Sequence, residues 1–172
     1  MPLMVRKYLH QLFLIKEGEI STVFYFITFF LVVGFSMALA NATANSLFLK
    51  RFGIDYLPVV YLFQGGACFI AMMIYASIAD LISSEKFFKI LFALLAVSVL
   101  GFWAMISMYS EPLLFPVFFL FSEIVADLLL THSALYLNQM VNPMQAKRLS
   151  PVLFSGLQVG RVLGGLFVAA FA

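Results

Sequence analysis

Residues 20–48 read ISTVFYFITFFLVVGFSMALANATANSLF and contain no charged side chain. About 20 mostly apolar residues suffice for a helix to cross the roughly 30 Å of hydrocarbon in a bilayer, and this run exceeds that length. The run ends before Lys50 and Arg51, and a turn between Gly53 and Pro58 follows. We therefore predict a membrane-spanning helix over residues 20–48.

The composition of the whole chain points the same way. Of 172 residues, 64% are hydrophobic and 10% are charged, whereas a soluble domain carries about 25% charged residues. A net charge of +2 leaves no basic face for nucleic acid. A single cysteine, Cys68, excludes a disulfide framework, and two distant histidines offer no zinc site. The sequence thus predicts a multi-spanning membrane protein with no cofactor and no metal.

Four further apolar runs are separated by charged or turn-forming clusters. They cover residues 58–78, 87–108, 113–136 and 151–172, and Pro151 stands where the start of a helix tolerates proline. The predicted fold is an all-α polytopic transmembrane bundle of about five spans, a partial six-helix half. Because the last run reaches residue 172 with no tail after it, we expect a partial chain.

Basic residues predict the orientation, since Lys and Arg favour cytoplasmic loops. With the N-terminus inside, only Lys50 and Arg51 fall in outer loops, and the inner segments hold Arg6, Lys7, Lys16, Lys86, Lys89, Lys147 and Arg148. We expect a bacterial inner membrane with a cytoplasmic N-terminus. Residues 1–19 are predicted to form an amphipathic segment on the inner leaflet. The alternative is a signal peptide, with Ala38 and Ala40 forming a small-x-small cleavage site.

Three charged residues fall deep inside the predicted spans, at bilayer depth. An ionisable residue at bilayer depth costs at least about 2.5 kcal/mol, so it marks a function or an internal partner. Glu123 and Asp127 are four residues apart on one helix face, and Arg161 lies at a similar depth in the fifth span with Gln158 on its side. One interpretation is a structural ion pair between Arg161 and one carboxylate. The other is that the surplus carboxylate titrates or accepts a cation or substrate group.

Polar and small residues in the first and fifth spans allow two interpretations each. Asn41 and Asn45 form an i, i+4 pair that either hydrogen-bonds a neighbouring helix or lines a polar cavity. Gly156, Gly160 and Gly164 follow one another at four-residue spacing, which permits close helix packing or sliding. His132 is predicted to be a packing residue. No phosphate loop, nucleophile elbow or metal-binding helix motif occurs, so the sequence gives no basis for an enzyme.

Several stretches carry a family resemblance. Residues 76–86 read ASIADLISSEK, and the other stretches are KEGE at 16–19, FGIDYLP at 52–58 and NPMQAKR at 142–148. The first resembles the Gly-x-Leu-Ala-Asp-Arg-x-Gly-Arg-Lys signature of the major facilitator superfamily, with Ala79 and Asp80 matching and Leu81 departing from it. Together they resemble the N-terminal half of the ATP/ADP translocase-like branch of that superfamily, the nucleotide transporters.

The resemblance implies alternating access around a central site. It implies that Asp80 and Lys86 belong to a gating loop and that the first and fourth spans line the path. Nucleotide-carrying members tend to have basic residues where this chain has Asn41 and Asn45, so we expect a small polar or anionic solute. Transport would also require the C-terminal half or a second copy. The competing hypothesis is a membrane anchor, sensor or interaction module that keeps the fold without transporting.

Overall fold

The computed structural model describes residues 19–79, 81–108 and 111–171, apart from the side chain of Leu95. These residues form five long helices and one short 3₁₀ turn, the latter at Ile54–Tyr56. The helices are α1 (Ile20–Phe52), α2 (Leu57–Ala79), α3 (Ser84–Met108), α4 (Leu114–Met140) and α5 (Pro143–Phe171). All five are long and apolar enough to cross a membrane. The all-α transmembrane prediction is therefore confirmed.

Turn residues explain where the helices begin and end. Gly53 follows α1 with φ of 81° and ψ of 176°, a conformation that is essentially open only to glycine. Pro58 falls in the first turn of α2, where the missing N–H costs nothing. α1 runs one turn beyond the predicted end, because Lys50 and Arg51 continue the helix and cations are favourable beside its C-terminal carbonyls.

The start of α5 corrects the prediction at Pro151. The helix begins at Pro143, about two turns earlier, and Pro151 lies inside it. The early start has a local cause: Asn142 precedes the first turn, and its backbone N–H donates to Oε1 of Gln145 at 3.1 Å. This is one of the two hydrogen bonds of a capping box, with proline at the first helical position. The cap fixes the helix start independently of the later proline.

The chain divides into two compact units. The first unit holds residues up to Leu39 and from Leu135 onward, so it contains the start of α1, the end of α4 and all of α5. The second unit holds residues Ala40 to Ala134, with the rest of α1, all of α2 and α3, and most of α4. The two cores differ in composition and are described in turn.

The first unit packs α5 directly onto the backbone of α1. Gly156, Gly160 and Gly164 are buried, and a side chain at Gly156 would come within 2.7 Å of the carbonyl oxygen of Ile27. Small residues allow this approach, which supplies the van der Waals contact that holds membrane helices together. Phe30 and Phe154 close the same interface, with ring centroids 4.9 Å apart.

The second unit is built from larger side chains. Phe48 from α1, Val60 from α2 and Phe119 from α4 form one buried cluster, completed by Ala44. Leu91 from α3 packs with Val125 and Leu129 of α4 in another. The outer faces of α2 and α3 are apolar and exposed, as at Leu62 and Trp103. Apolar surface on this scale is stable against lipid and not against water.

Several predicted features lie outside the described residues. They are residues 1–18 of the predicted amphipathic segment, Asp80 of the gating loop and the last residue, Ala172. Lys86 is described and lies exposed in the first turn of α3.

Candidate functional site

In the second unit, α2 and α4 contact each other at successive levels along their lengths. Val60 meets Phe119 in the buried cluster. Two turns further along each helix, the thiol of Cys68 lies beside the carboxylate of Asp127. From the first contact to the second, the residue number rises by eight on both helices. The two helices therefore run parallel through this interface.

Gln64 and Glu123 occupy the level between these two contacts. Gln64 lies four residues from both Val60 and Cys68, and Glu123 occupies the corresponding position on α4. Residues four apart share a helix face and are separated by about 6 Å along the axis. The amide of Gln64 and the carboxylate of Glu123 therefore face the same interface. Glu123 lies about 14 Å along α4 from its first residue, near the middle of a bilayer.

Asn41 adds an amide from α1 at the same level. It lies three residues before Ala44, which belongs to the buried cluster with Val60 and Phe119, and an i, i+3 pair shares a helix face. Asn45 donates from Nδ2 to the backbone carbonyl of Asn41 at 2.8 Å. That hydrogen bond stays within α1, so this donor of Asn45 does not join α1 to another helix.

We call Asn41, Gln64, Cys68, Glu123 and Asp127 the polar layer. Two of its oxygen atoms, Oδ1 of Asn41 and Oε1 of Gln64, are buried and have no hydrogen-bond partner among the described residues. A buried amide without a partner costs about 1–3 kcal/mol in protein mutational data. An unsatisfied group of this kind in a native structure calls for an explanation.

The structure brings together only part of the predicted cluster. Asn41, Asn45, Glu123 and Asp127 all belong to the second unit. Arg161 belongs to the first unit, where it is half-buried on α5, and Gln158 is exposed one turn before it. The pairing of Arg161 with either carboxylate stays a prediction.

Gly156 and Gly160 lie against the backbone of α1, and Gly164 lies against both the side chain of Ala38 and the backbone of Phe35. A Cβ at Gly160 would coincide with the carbonyl of Leu31, and one at Gly164 would come within 2.8 Å of the carbonyl of Phe35. Gly34 of α1 makes the matching approach to Leu157. Gly165 has open space around it, which separates it from the packing series.

A charged cluster in the first unit was not among the predicted site residues. Arg148 donates from Nη2 to both carboxylate oxygens of Glu19, at 2.6 and 2.5 Å, and Gln145 donates from Nε2 to the same carboxylate at 2.9 Å. We call Glu19, Gln145 and Arg148 the anchor cluster. Its members come from KEGE and NPMQAKR, the same stretches that carry the family resemblance. The presence of both stretches in one sequence was the only hint of this cluster. Sequence alone does not show that their side chains form hydrogen bonds with each other.

His132 is buried and hydrogen-bonded on both ring nitrogens. Its Nε2 lies 3.1 Å from the carbonyl oxygen of Ser84, and its Nδ1 lies 3.0 Å from the hydroxyl of Tyr75. Because a carbonyl only accepts, Nε2 carries the hydrogen and Nδ1 accepts from Tyr75. The rings of Phe87 and Phe88 flank it at 4.4 Å. His132 thus fixes the first turn of α3, the structural role that the sequence predicted.

No group of three or more His, Cys, Asp and Glu side chains is arranged to hold a metal ion within the described ranges. Comparisons with protein-family models, curated proteins and solved structures found no match to this chain. Five apolar helices of spanning length define it as an integral multi-pass membrane protein.

Proposed function

We propose that this chain carries a small polar solute across the membrane by alternating access. The observation that supports the proposal is the pair of buried, unpartnered amide oxygens on Asn41 and Gln64. They lie at one level with Glu123 in the middle of the spans. Polar groups at this depth belong to solute or ion pathways by default, because lipid offers them no partner.

The proposal assigns different tasks to the two units. The polar layer of the second unit contacts the solute, and the close contact of α1 with α5 keeps the first unit rigid while the transporter changes conformation. The proposed family is the ATP/ADP translocase-like branch of the major facilitator superfamily, supported by the four stretches quoted above. In that family type a second bundle completes the site, so transport requires a C-terminal half or a second copy.

The proposed setting is a bacterial inner membrane with the N-terminus in the cytoplasm. The positive-inside count supports this orientation. In it, the anchor cluster lies at the cytoplasmic ends of α1 and α5, and the polar layer lies near the midplane. Lys86 and Asp80 belong to the proposed gating loop between α2 and α3.

The competing function is a membrane module that anchors or senses without transporting. The anchor cluster and the glycine contacts would suit that role equally well, because both stabilise the bundle. The unpartnered amides favour transport, since a purely structural bundle gains stability by replacing them with apolar side chains.

The test is uptake by the full natural protein in proteoliposomes. Labelled nucleotides, phosphates, amino acids and sugars form the panel, and Glu123→Gln and Asp127→Asn are measured alongside. The matched control is Glu111→Gln, the same change at an exposed carboxylate before α4. We expect saturable uptake of one compound that either layer variant abolishes and the control preserves. Uptake unchanged in folded Glu123→Gln and Asp127→Asn would contradict the proposed site.

A further inference from the structure

We infer that a groove between α2 and α3 binds one phospholipid molecule, with an acyl chain in the groove and the phosphate group at Lys86. The inference goes beyond the proposed function and does not depend on transport. It follows from the lining and size of the groove and from the charges at one end of it.

The groove is a cavity of about 270 Å³ within the second unit. Its floor is formed by Tyr75 and Leu91, which are buried, and by Leu128 of α4. Its rims include Ile74 of α2 and Ile90 of α3, and both of these side chains are more than half exposed. The groove is therefore open along the side opposite α4, where a membrane-spanning helix pair meets lipid.

The lining of the groove is apolar. Among its described lining residues, only Tyr75 has a polar group in its side chain. The hydroxyl of Tyr75 lies 3.0 Å from Nδ1 of His132 on α4, so it is engaged behind the floor. Because the remaining surface offers no hydrogen bond, a polar solute would lose its hydration there without compensation. The groove therefore suits a hydrocarbon ligand.

The size of the groove favours a single hydrocarbon chain over a helix. Ala71 and Ile78 both line it, and seven residues of helix span roughly 10 Å. A volume of about 270 Å³ over that length gives a mean cross-section of roughly 26 Å². A helix with a diameter of about 10 Å has a cross-section of roughly 80 Å². A helix from another protein would therefore cover the groove without entering it.

The direction of the groove matches that of a lipid tail. Ile78 lies one residue before the end of α2, and Phe87 lies in the first turn of α3. From this end the groove runs towards Ala71 and Leu94, nearer the middle of both helices. A lipid tail likewise runs from the headgroup region into the hydrocarbon core. The headgroup would then lie beside the connection between α2 and α3.

Basic side chains lie at this end of the groove. Lys86 and Lys89 are both exposed. Lys86 directly precedes Phe87 and stands four residues before Ile90, so it shares the groove side of α3 one turn nearer the membrane surface. Glu85 is exposed in the same turn, which gives two positive charges and one negative among these three residues. A phosphate group, which phosphatidylglycerol and phosphatidylethanolamine share, complements Lys86.

The experiment measures lipid retention by the full natural protein with native mass spectrometry. Phosphatidylglycerol, phosphatidylethanolamine and a phosphate-free glucosyl diacylglycerol, all with the same acyl chains, are titrated separately. We expect one phospholipid to be retained at least about tenfold more tightly than the glycolipid. The preferred headgroup identifies which of the two phospholipids supplies the phosphate. Equal retention of the glycolipid would overturn the phosphate contact.

Two variants test the two parts of the site, each with a matched control. Ala71→Phe places a ring in the groove, and Ala76→Phe makes the same change at an exposed position outside it. Lys86→Gln removes the charge at the groove, and Lys50→Gln removes an exposed lysine near the end of α1. We expect retention to weaken at least about fivefold in both site variants and to persist in both controls. Unchanged retention in folded Ala71→Phe would overturn the groove as the site.

A photoreactive lipid tests the unaltered protein, so the result does not depend on how a variant folds. The retained phospholipid, with a diazirine in its acyl chain, should label residues 71–78 and 87–94 in preference to exposed apolar positions elsewhere, such as Leu62. Even labelling along α2 and α3 would mean that lipid covers this surface without a site. A dimer that retains no lipid and that Ala71→Phe dissociates would overturn the inference in favour of a second copy.

Discussion

The two units of the molecule treat their buried side-chain oxygens in opposite ways. In the first unit, the carboxylate of Glu19 receives hydrogen bonds from both Arg148 and Gln145, and glycines bring two helix backbones into contact. In the second unit, Oδ1 of Asn41 and Oε1 of Gln64 are buried without a hydrogen-bond partner among the residues that the structure describes. The first arrangement supplies a buried carboxylate with donors, although Nε of Arg148 is itself buried without a hydrogen-bond partner among the described residues. The second arrangement leaves buried acceptor atoms unpaired, at a cost in stability.

This difference indicates where substitutions should damage the fold and where they should damage only the function. Hydrogen bonds to a buried carboxylate are stabilising, so removing their donor should lower the free energy of unfolding. Unsatisfied polar groups already destabilise the folded state, so their removal should be neutral or favourable for stability. The predictions below test this contrast in order of decreasing effect.

The largest effect is expected from Gly160→Ala. The new methyl group would collide with the backbone carbonyl of Leu31, and backbone cannot move aside as a side chain can. We expect a loss of about 3 kcal/mol, the upper range for overpacking, measured as a lower thermal unfolding midpoint in detergent. The control is Gly165→Ala on the same helix, where the space is open. It should be stabilising by up to about 1 kcal/mol, as alanine is in helices. Equal midpoints for the two variants would contradict the tight contact.

Arg148→Ala should have the next largest effect. It removes two hydrogen bonds to the Glu19 carboxylate, whose side chain is only 13% exposed. Because Gln145 still donates to that carboxylate, we expect a loss of about 2 kcal/mol rather than the full cost of an isolated charge. Lys147→Ala, at the exposed neighbouring position, should change the unfolding midpoint little. A similar midpoint shift in both variants would mean that the anchor cluster contributes nothing specific.

Tyr75→Phe tests whether satisfied polar groups also stabilise the second unit. The change leaves Nδ1 of the buried His132 without its donor, while the ring contacts remain. We expect a loss of about 1 kcal/mol. Tyr61→Phe is the matched control, because Tyr61 lies on the same helix and is 52% exposed. A loss in the control equal to that in Tyr75→Phe would argue against the His132 hydrogen bond.

Gln64→Met should show the smallest stability change and the opposite sign. The substitution keeps the length of the side chain and removes the unpartnered buried oxygen, so we expect a gain of up to about 1 kcal/mol. Solute uptake should nevertheless be lost. A clear destabilisation would show that Gln64 has a structural partner, and the contrast between the units would then fail.

The sequence predicted the helices better than their ends. Long apolar runs of spanning length identify the five helices without any tertiary information, because the bilayer itself imposes the length. The N-terminal part of α5, from Pro143 to Pro151, was missed because Pro151 resembles a helix start. The capping interaction between Asn142 and Gln145 decides the start locally, and the apolar run does not reveal it.

The candidate site was predicted in part. Asn41, Glu123 and Asp127 were identified because polar residues are costly to place in membrane-spanning helices and therefore mark a function or an internal partner. Gln64 was harder to assign, since one amide in an apolar helix serves equally as a contact between helices. Only the packing of α2 against α4 aligns Gln64 with Glu123 and places Cys68 beside Asp127.

By itself, the sequence determined that this chain is a helical membrane protein. Hydropathy and segment length are local properties, and they decide whether a segment can cross the bilayer as a helix. The tertiary structure alone decided which polar residues are satisfied. Glu19 meets Arg148 across more than a hundred intervening residues, whereas Oδ1 of Asn41 and Oε1 of Gln64 meet no donor in the described part of the chain. Hydrogen bonding requires atoms to be brought within about 3 Å, and helix packing fixes that distance where sequence spacing does not.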